Sequence, residues 1–439
     1  MILRIILKNF LSFDDEMQFD MFPNMKRTSL PEHITMAAGK LPVLKMAAIF
    51  GQNGAGKSNI VKAIEFVRNF AVHKYFIRSL ELENYFFLLK EDAAKEPIYL
   101  AVEFESQGKF LFYEIEISPN YIAKECLYET FPLEDKVELI FERKKQNVAF
   151  PQGASVDDAI AEATKKMLEK NPMSSLLALN GEFPIVQDPR CKTAYKWFRG
   201  QLEVIGVHTM LPELIEILRN NTEMLEFARN FINRLEVGAN GMNMVESDFD
   251  QWAKKHIMLA KKLPDDMDKV KSVLLSANSM PVLSISLEGG IRKVYQLIFD
   301  TIGKSGYIGH LDTSAQSDGT LRVLTLLPAL YFAKQGKTIV VDEINCCLSA
   351  TMVKGIVEFF AKTNDTKGQL IFTTHEEQLL GERDILRSDE IWFVDKKEGA
   401  SIIYSHNDFK EHHTISPMRG YKEGRYGAIR YVNLLRENG

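Results

Sequence analysis

The chain has 439 residues, 46% hydrophobic and 26% charged, enough apolar material for a core and too little bias for a disordered or low-complexity protein. A formal net charge of -5 argues against coating nucleic acid by bulk charge and leaves only a local basic patch for such contact. Four cysteines, two of them adjacent at Cys346 and Cys347, show neither zinc spacing nor a disulfide framework and fit a reducing cytoplasm.

The first eight residues are apolar with an interrupting charge and no small-residue cleavage site, so they predict a strand rather than a signal peptide. A break at Asn9, Phe10, Leu11, Ser12 and Phe13 and a resumption near Met17 predict an antiparallel opening. Residues 24–40, with Pro31 and mixed polarity, read as a surface loop. The apolar run 45–50 suits a buried parallel strand, and 59–67 has apolar residues at helical spacing. Between them stand Gly51, Gln52, Asn53, Gly54, Ala55, Gly56, Lys57, Ser58 and Asn59, which fit the phosphate-loop pattern G-x-x-x-x-G-K-[ST]. The glycines let backbone N–H groups face a phosphate, and the helix start adds its positive dipole end. Lys57 would reach the β- and γ-phosphates and Ser58 would hold Mg²⁺, so ATP with Mg²⁺ is the expected cofactor pair.

Alternating runs at 98–104, 110–117 and 137–142 predict a sheet with one wet face. Residues 155–271 then read as mostly helical, carried by Leu211, Leu214, Ile215, Leu218, Leu225, Ala228, Phe231, Ile232 and Leu235, with Gly238 as a stop. Strands are expected again at 282–287 and 294–299, followed by a helix over 320–334 and an apolar strand from Thr338. Its apolar stretch 323–333, interrupted by Thr325 and Pro328, is far too short to span a bilayer, and no membrane partner is expected. The resulting domain expectation is 1–150, an insertion at 151–280, and 281–439.

The second half adds chemistry to the loop. Asp342 and Glu343 end a buried strand, Asp342 placed to hold the Mg²⁺ shell and Glu343 to orient the attacking water. Thr373, Thr374 and His375 end another, with His375 a candidate γ-phosphate sensor. Gln316, Ser317, Asp318, Gly319 and Thr320 precede the apolar helix, and Ser317 with Gly319 forms a second phosphate cradle that one nucleotide does not need. A cradle without a use in its own chain suggests that it closes over the ATP of a second copy.

In that order, the phosphate loop, the Ser-Asp-Gly-Thr signature, Asp342-Glu343 and Thr373-Thr374-His375 resemble the ABC-type ATPases of the SMC/RecF/OLD group. Asn9, Phe10, Ser12 and Phe13 are similar to that group's N-F-x-S-F turn, which lies near the nucleotide base. Asp389 to Asp395, Ile403 to Ser405, Asp408 to Lys410 and Gly424 to Ile429 resemble the C-terminal pattern of stand-alone ATPases of anti-phage systems such as Septu, retron, PARIS, AbiL and RloC. The resemblance implies an α/β, ABC-ATPase P-loop fold, a mixed sheet plus an antiparallel N-terminal sheet, with an inserted helical lid subdomain. It implies that Lys57, Glu343 and His375 are catalytic and that Ser58 and Asp342 hold the metal. It also implies that Ser317 and Gly319 serve the partner's ATP in a homodimer or higher homo-oligomer. The implied role is a cytoplasmic sensor or regulator with a separate effector nuclease and nucleic acid as a further partner; the alternative is a RecF/SMC-like DNA-repair ATPase. This chain departs from the group at Gln316, where Glu is usual, and at Leu348, Ser349 and Ala350, where a His-Pro pair is usual. Gln146 and Gln152 are the candidates for the group's glutamine loop.

Minor signals have ordinary readings. Arg68 and His73 match a ribonuclease spacing but lie on the expected phosphate-loop helix. Lys254, Lys255, Lys261, Lys262, Lys269 and Lys271, interspersed with Asp265, Asp266 and Asp268, suit a solvated face, and His412 with His413 suits a loop.

Overall fold

The computed structural model describes residues 1–151, 158–183, 185, 187–207, 209, 214–235, 238–261, 263, 272–277, 280–363, 367–381, 384–409, 417–422 and 425–426. Gln152, Leu211, Lys262, Asp265, Asp266, Asp268, Lys269, Lys271, Lys410, His412, His413, Gly424 and residues 427–429 lie outside them. The described chain forms two compact units: Met1–Gly206 with Ala333–Asn345 and Ile356–Gly439, and Val207–Phe332 with Cys346–Gly355.

The first unit opens with β1 (Ile2–Lys8) and β2 (Met17–Asp20), which pair antiparallel as the sequence predicts. The stretch expected to be loop instead carries part of a hairpin, β3 (Ile34–Ala37) with β4 (Leu41–Leu44). Its prolines hide it: Pro31 starts a turn before β3, and Pro42 lies within β4. Then come β5 (Met46–Phe50), buried at every residue, and α1 (Lys57–Val72), whose Ile60, Val61, Ile64, Val67 and Ala71 are buried at helical spacing. Strands β6 (Ile98–Ser106), β7 (Lys109–Ser118), β8 (Tyr121–Phe131), β9 (Lys136–Lys144) and β10 (Asn147–Ala149) form a meander. With β1 and β2 they build a seven-stranded antiparallel sheet in the order β10-β9-β8-β7-β6-β1-β2.

That sheet does not have the freely wet face its alternation suggested. Glu103 and Glu114 are buried and paired, with Arg4 at 2.7 Å and Lys124 at 2.6 Å. Helices α2 (Asp158–Lys170), α3 (Leu176–Glu182) and α4 (Pro189–Gly200) follow, and β11 (Leu202–Ile205) ends this part of the unit. Trp197 of α4 stacks on Phe104 of β6 at 4.1 Å between ring centres.

In the second unit the long helical pattern splits into α5 (Leu214–Arg219) and α6 (Thr222–Leu235), and Gly238 lies beyond the helix end at φ 84°. The helices expected over 155–271 share that stretch with β12 (Gly241–Asp248), followed by α7 (Phe249–Lys255) and α8 (Ile257–Ala260); then come β13 (Ser272–Ala277), the two expected strands as β14 (Met280–Glu288) and β15 (Ile291–Ile302), and β16 (Ile308–Asp312). These strands form an antiparallel sheet in the order β12-β15-β14-β13, with β16 also on β15. Trp252 packs with Leu283, Ile285 and Val294 against it.

Helix α9 (Asp318–Lys334) leads to β17 (Thr338–Val341), α10 (Ala350–Lys362), β18 (Gln369–Thr374), β19 (Ile391–Lys397), β20 (Ala400–Ser405) and α11 (Pro417–Lys422). The central sheet of the first unit runs β11-β17-β18-β5-β19-β20, parallel throughout except for the β19–β20 hairpin. The mixed sheet plus an antiparallel N-terminal sheet is the fold class the sequence predicts. Among the described residues no helix is long and apolar enough to cross a membrane.

The antiparallel sheet is tied to α3 by one carboxylate. Glu125 of β8 accepts from Tyr113 Oη at 2.8 Å, from the N–H groups of Leu176 and Leu177 at 2.8 and 2.9 Å, and from Ser175 Oγ at 3.2 Å. Fully buried Arg143 reaches it at 3.3 Å and also donates to the carbonyls of Lys145, Pro172 and Ser174. Replacing Glu125 by Ala strands a buried guanidinium and two helix N–H groups, so we expect a loss of about 3 to 5 kcal/mol in denaturant unfolding.

Candidate functional site

The parallel strands β18 and β5 end side by side, Thr374 beside Phe50, and β17 ends two residues earlier on the same edge, Val341 beside Phe372. The residues that follow each strand are therefore delivered to one edge of the sheet, where α/β folds bind ligands. After β5 comes the phosphate loop, after β17 Asp342 and Glu343, and after β18 His375.

The loop is shaped by close approach. A Cβ on Gly51 would lie 2.4 Å from the Val394 carbonyl, and one on Gly56, at φ 116°, would lie 2.3 Å from Ser401 Oγ and 2.7 Å from Ser12 Oγ. The two serines brace the loop from the two ends of the chain. Ser401 Oγ donates to the Ala55 carbonyl at 2.5 Å and lies 2.7 Å from Ser12 Oγ, whose proton it accepts, and Asn59 Nδ2 donates to Ser12 Oγ at 2.7 Å. Asn59 thus spends its side chain on holding the loop. Gln52 is half-buried, Asn53 and Gly54 are exposed, and Ser58 is half-buried in the first turn of α1.

Lys57 is buried, and its Nζ donates to the carbonyls of Gly51 at 2.6 Å and Gln52 at 3.1 Å. Loss of solvent lowers its affinity for a proton, opposed by the negative charges of Glu343 and then Asp342. A poorly solvated ammonium favours a polyanion that replaces its lost water, and the two acids beside it call for a cation between them and that polyanion.

The acids are positioned by a residue outside the expected site set. Thr373 Oγ1 donates to Asp342 Oδ1 at 2.7 Å and accepts from the Glu343 N–H at 2.7 Å. Glu343 has φ 45°, a left-handed turn that takes its side chain off the strand direction. Asn345 does the same service for His375: its Oδ1 accepts from Thr374 Oγ1 at 2.8 Å, and its Nδ2 lies 3.1 Å from the imidazole of exposed His375. A polar Thr pair closing an apolar run was the sequence signal for Thr373, and the N-F-x-S-F resemblance was the signal for Ser12; nothing in the sequence singled out Asn345 or Ser401.

Ser317 and Gly319 are in the second unit. Ser317 Oγ accepts from the Thr320 N–H at 3.2 Å and lies 2.9 Å from Thr320 Oγ1, an N-cap on α9. A Cβ on Gly319 would come within 2.9 Å of the Cys347 carbonyl. Where the ABC group has His-Pro, Ser349 Oγ accepts from the Met352 N–H at 3.3 Å and caps α10. Gln146 is exposed in the β9–β10 turn. Asn9, expected near a nucleotide base, is fully buried, donating to the carbonyls of Ala93 and Glu96 and accepting from the Phe87 N–H. Arg68 is structural, donating to the Leu202 carbonyl at 2.9 Å.

The donor set suits a magnesium-bound triphosphate: glycine N–H groups, a desolvated lysine, a hydroxyl in the first helical turn and a strand-end aspartate. Loop, sheet and acids together define a P-loop nucleotide-binding protein of the ATPase class. Residues 46–201 and 257–381 match the family described as "AAA domain, putative AbiEii toxin, Type IV TA system", well over half of the chain, and the protein belongs to that family. No protein of curated function matches the chain.

Solved structures similar to it include an SMC head bound to the C-winged helix domain of ScpA, at 14% identity over 92% of this chain and 97% of that one, TM-score 0.47. The SMC head domain from Thermotoga maritima matches at 14% identity over 92% and 98%, TM-score 0.40. An SMC head with an extended coiled coil, bound to the C-terminal domain of ScpA derived from Pyrococcus furiosus, matches at 13% over 97% and 98%, TM-score 0.38. These likenesses are loose, and the site stands on the chain's own strands and side chains.

Two outcomes test the geometry. Thr373→Val removes the donor to Asp342 and the acceptor for Glu343, and we expect Mg²⁺-nucleotide affinity to fall by about tenfold, roughly 1.4 kcal/mol, in calorimetric titration. Because burial lowers the Lys57 pKa from its ordinary 10.5, nucleotide affinity is expected to weaken as pH rises, starting below that ordinary value, in a binding titration repeated across alkaline pH.

Proposed function

We propose that this protein binds and hydrolyses ATP with Mg²⁺ and closes on a second copy of itself around the nucleotide, as the sensing or regulating ATPase of an anti-phage system with a separate effector nuclease. The observation that carries the reading is the one-edge assembly of Lys57, Asp342, Glu343 and His375, with Thr373 and Asn345 fixing three of them.

In this reading the loop N–H groups and Lys57 seat the β- and γ-phosphates. Ser58 and Asp342 hold Mg²⁺, which when bound neutralises phosphate charge. Glu343 orients and polarises the attacking water, its backbone held by Thr373. His375, steadied by Asn345, senses the γ-phosphate. Ser317 and the Gly319 N–H, at the positive end of a 17-residue helix, contact the γ-phosphate held by the partner copy. ATP is then an interface ligand, and its hydrolysis releases the closed pair.

The family description, which names an AbiEii toxin and a Type IV TA system, supports a place in bacterial defence. Exposed Lys254, Lys255 and Lys261 offer a local basic surface for nucleic acid.

Glu343→Gln with ATP and Mg²⁺ is expected to double the mass seen by light scattering relative to the nucleotide-free protein; an unchanged mass sinks ATP-driven pairing. Ser317→Ala or Gly319→Asp is expected to keep ATP binding and cut turnover by about tenfold or more. A nuclease recovered with the untagged protein supports the defence role, whereas DNA-stimulated turnover without such a partner places the protein with DNA-repair clamps.

A further inference from the structure

Cys346 and Cys347 are the third and fourth residues after Glu343 and belong to the turn formed by residues 344–347. Cys347 adopts φ 60°, and the two Sγ atoms lie 3.7 Å apart. Cys347 is exposed and Cys346 half-buried. The other two cysteines differ in kind: Cys126 and Cys191 are buried, and burial pushes their thiols up to about 11 and about 12. Such thiols stay protonated and inert at neutral pH, so an oxidant meets the adjacent pair first.

We infer that Cys346 and Cys347 form a modification site, oxidised by a peroxide to a vicinal disulfide and restored by a thiol. The Cys347 thiolate attacks one oxygen of hydrogen peroxide, releasing hydroxide and becoming a sulfenic acid. The Cys346 thiol, already in contact, attacks that sulfur; the S–S bond forms and water leaves. In sum two thiols and one peroxide give one disulfide and two waters. A resolving thiol this close intercepts the sulfenic acid before further oxygens add. Adjacent Cα atoms are about 3.8 Å apart, below the roughly 4.4 to 6.8 Å of an unstrained disulfide, so the bond is readily reduced.

The dithiol has a structural neighbour that gives oxidation a consequence. The Cys347 carbonyl packs on Gly319; closing the ring that contains the Cys346–Cys347 peptide re-sets the Cys347 backbone dihedrals and so shifts that carbonyl. On the proposed reading of Gly319 as a contact to the partner's ATP, the oxidised chain turns over more slowly.

The test uses the full chain treated with hydrogen peroxide, alkylated and digested. The peptide carrying both cysteines is expected to lose two hydrogens and escape alkylation, and dithiothreitol to reverse this. Two alkylated cysteines, added oxygens, or a disulfide joining two chains on a non-reducing gel would each overturn the site. Cys347→Ser is expected to abolish the mass change; a persistent loss of two hydrogens in that variant would also overturn it. Turnover of the oxidised protein is expected to fall at least about fivefold, with Cys347→Ser unaffected. A disulfide that forms without slowing turnover refutes the coupling alone. A reduced chain with no turnover refutes the ATPase reading, while the peptide mass still decides the disulfide.

Discussion

The hydroxyl of Thr373 is a single group that answers to two acids. It gives its proton to the Asp342 carboxylate and its lone pair to the Glu343 N–H, so the side chain of one and the backbone of the next are fixed together. This works because β17 and β18 run parallel with Val341 beside Phe372, which brings Asp342 and Thr373 abreast at the strand ends. A slip of one residue would present Phe372 or Thr374 instead and turn every side chain of the strand to the opposite face. The same ladder continues to β5, and the phosphate loop, the acid pair and the histidine hold their places through it.

The parts of the fold that depend on local chemistry were legible in the sequence. β5 is an unbroken apolar strand, the glycines that follow it occur at fixed spacing, and α1 has a clear buried stripe. The elements that escaped notice are short or of mixed polarity. β11 is four residues with Glu203 among them, and only its pairing with β17 makes it a strand of the central sheet. β8 mixes Lys124, Glu125 and Glu129 with apolar residues, and it is the buried Arg143 that accommodates Glu125. The bracing of the site was hidden for a related reason. Thr373 and Asp342 are 31 residues apart, and Ser12 and Ser401 are 389 apart, so their bonds exist only once the sheet has formed.

The stretch between the two halves of the first unit shows how periodicity can mislead over long distances. The strands expected at 282–287 and 294–299 are present as β14 and β15, and the apolar residues at helical spacing in α5 and α6 are real, yet β12 lies in the same expected helical stretch with half-buried and exposed positions along most of its length. Strands of that kind take their order from cross-strand partners and give a weak signal in isolation.

Ser12 and Ser401 also bear on when the nucleotide loop can exist. One lies near the start of the chain and the other beyond nine-tenths of its length, yet they bond to each other and to the loop between them. During synthesis the segment Gly51 to Asn59 emerges early but lacks half of its brace until the β19–β20 hairpin has left the ribosome. Contacts of such sequence separation form late and slowly. Nascent chains and fragments that stop before the β19–β20 hairpin would thus carry the whole phosphate-loop sequence without a finished loop, and competence for nucleotide would arise only once that hairpin has been made.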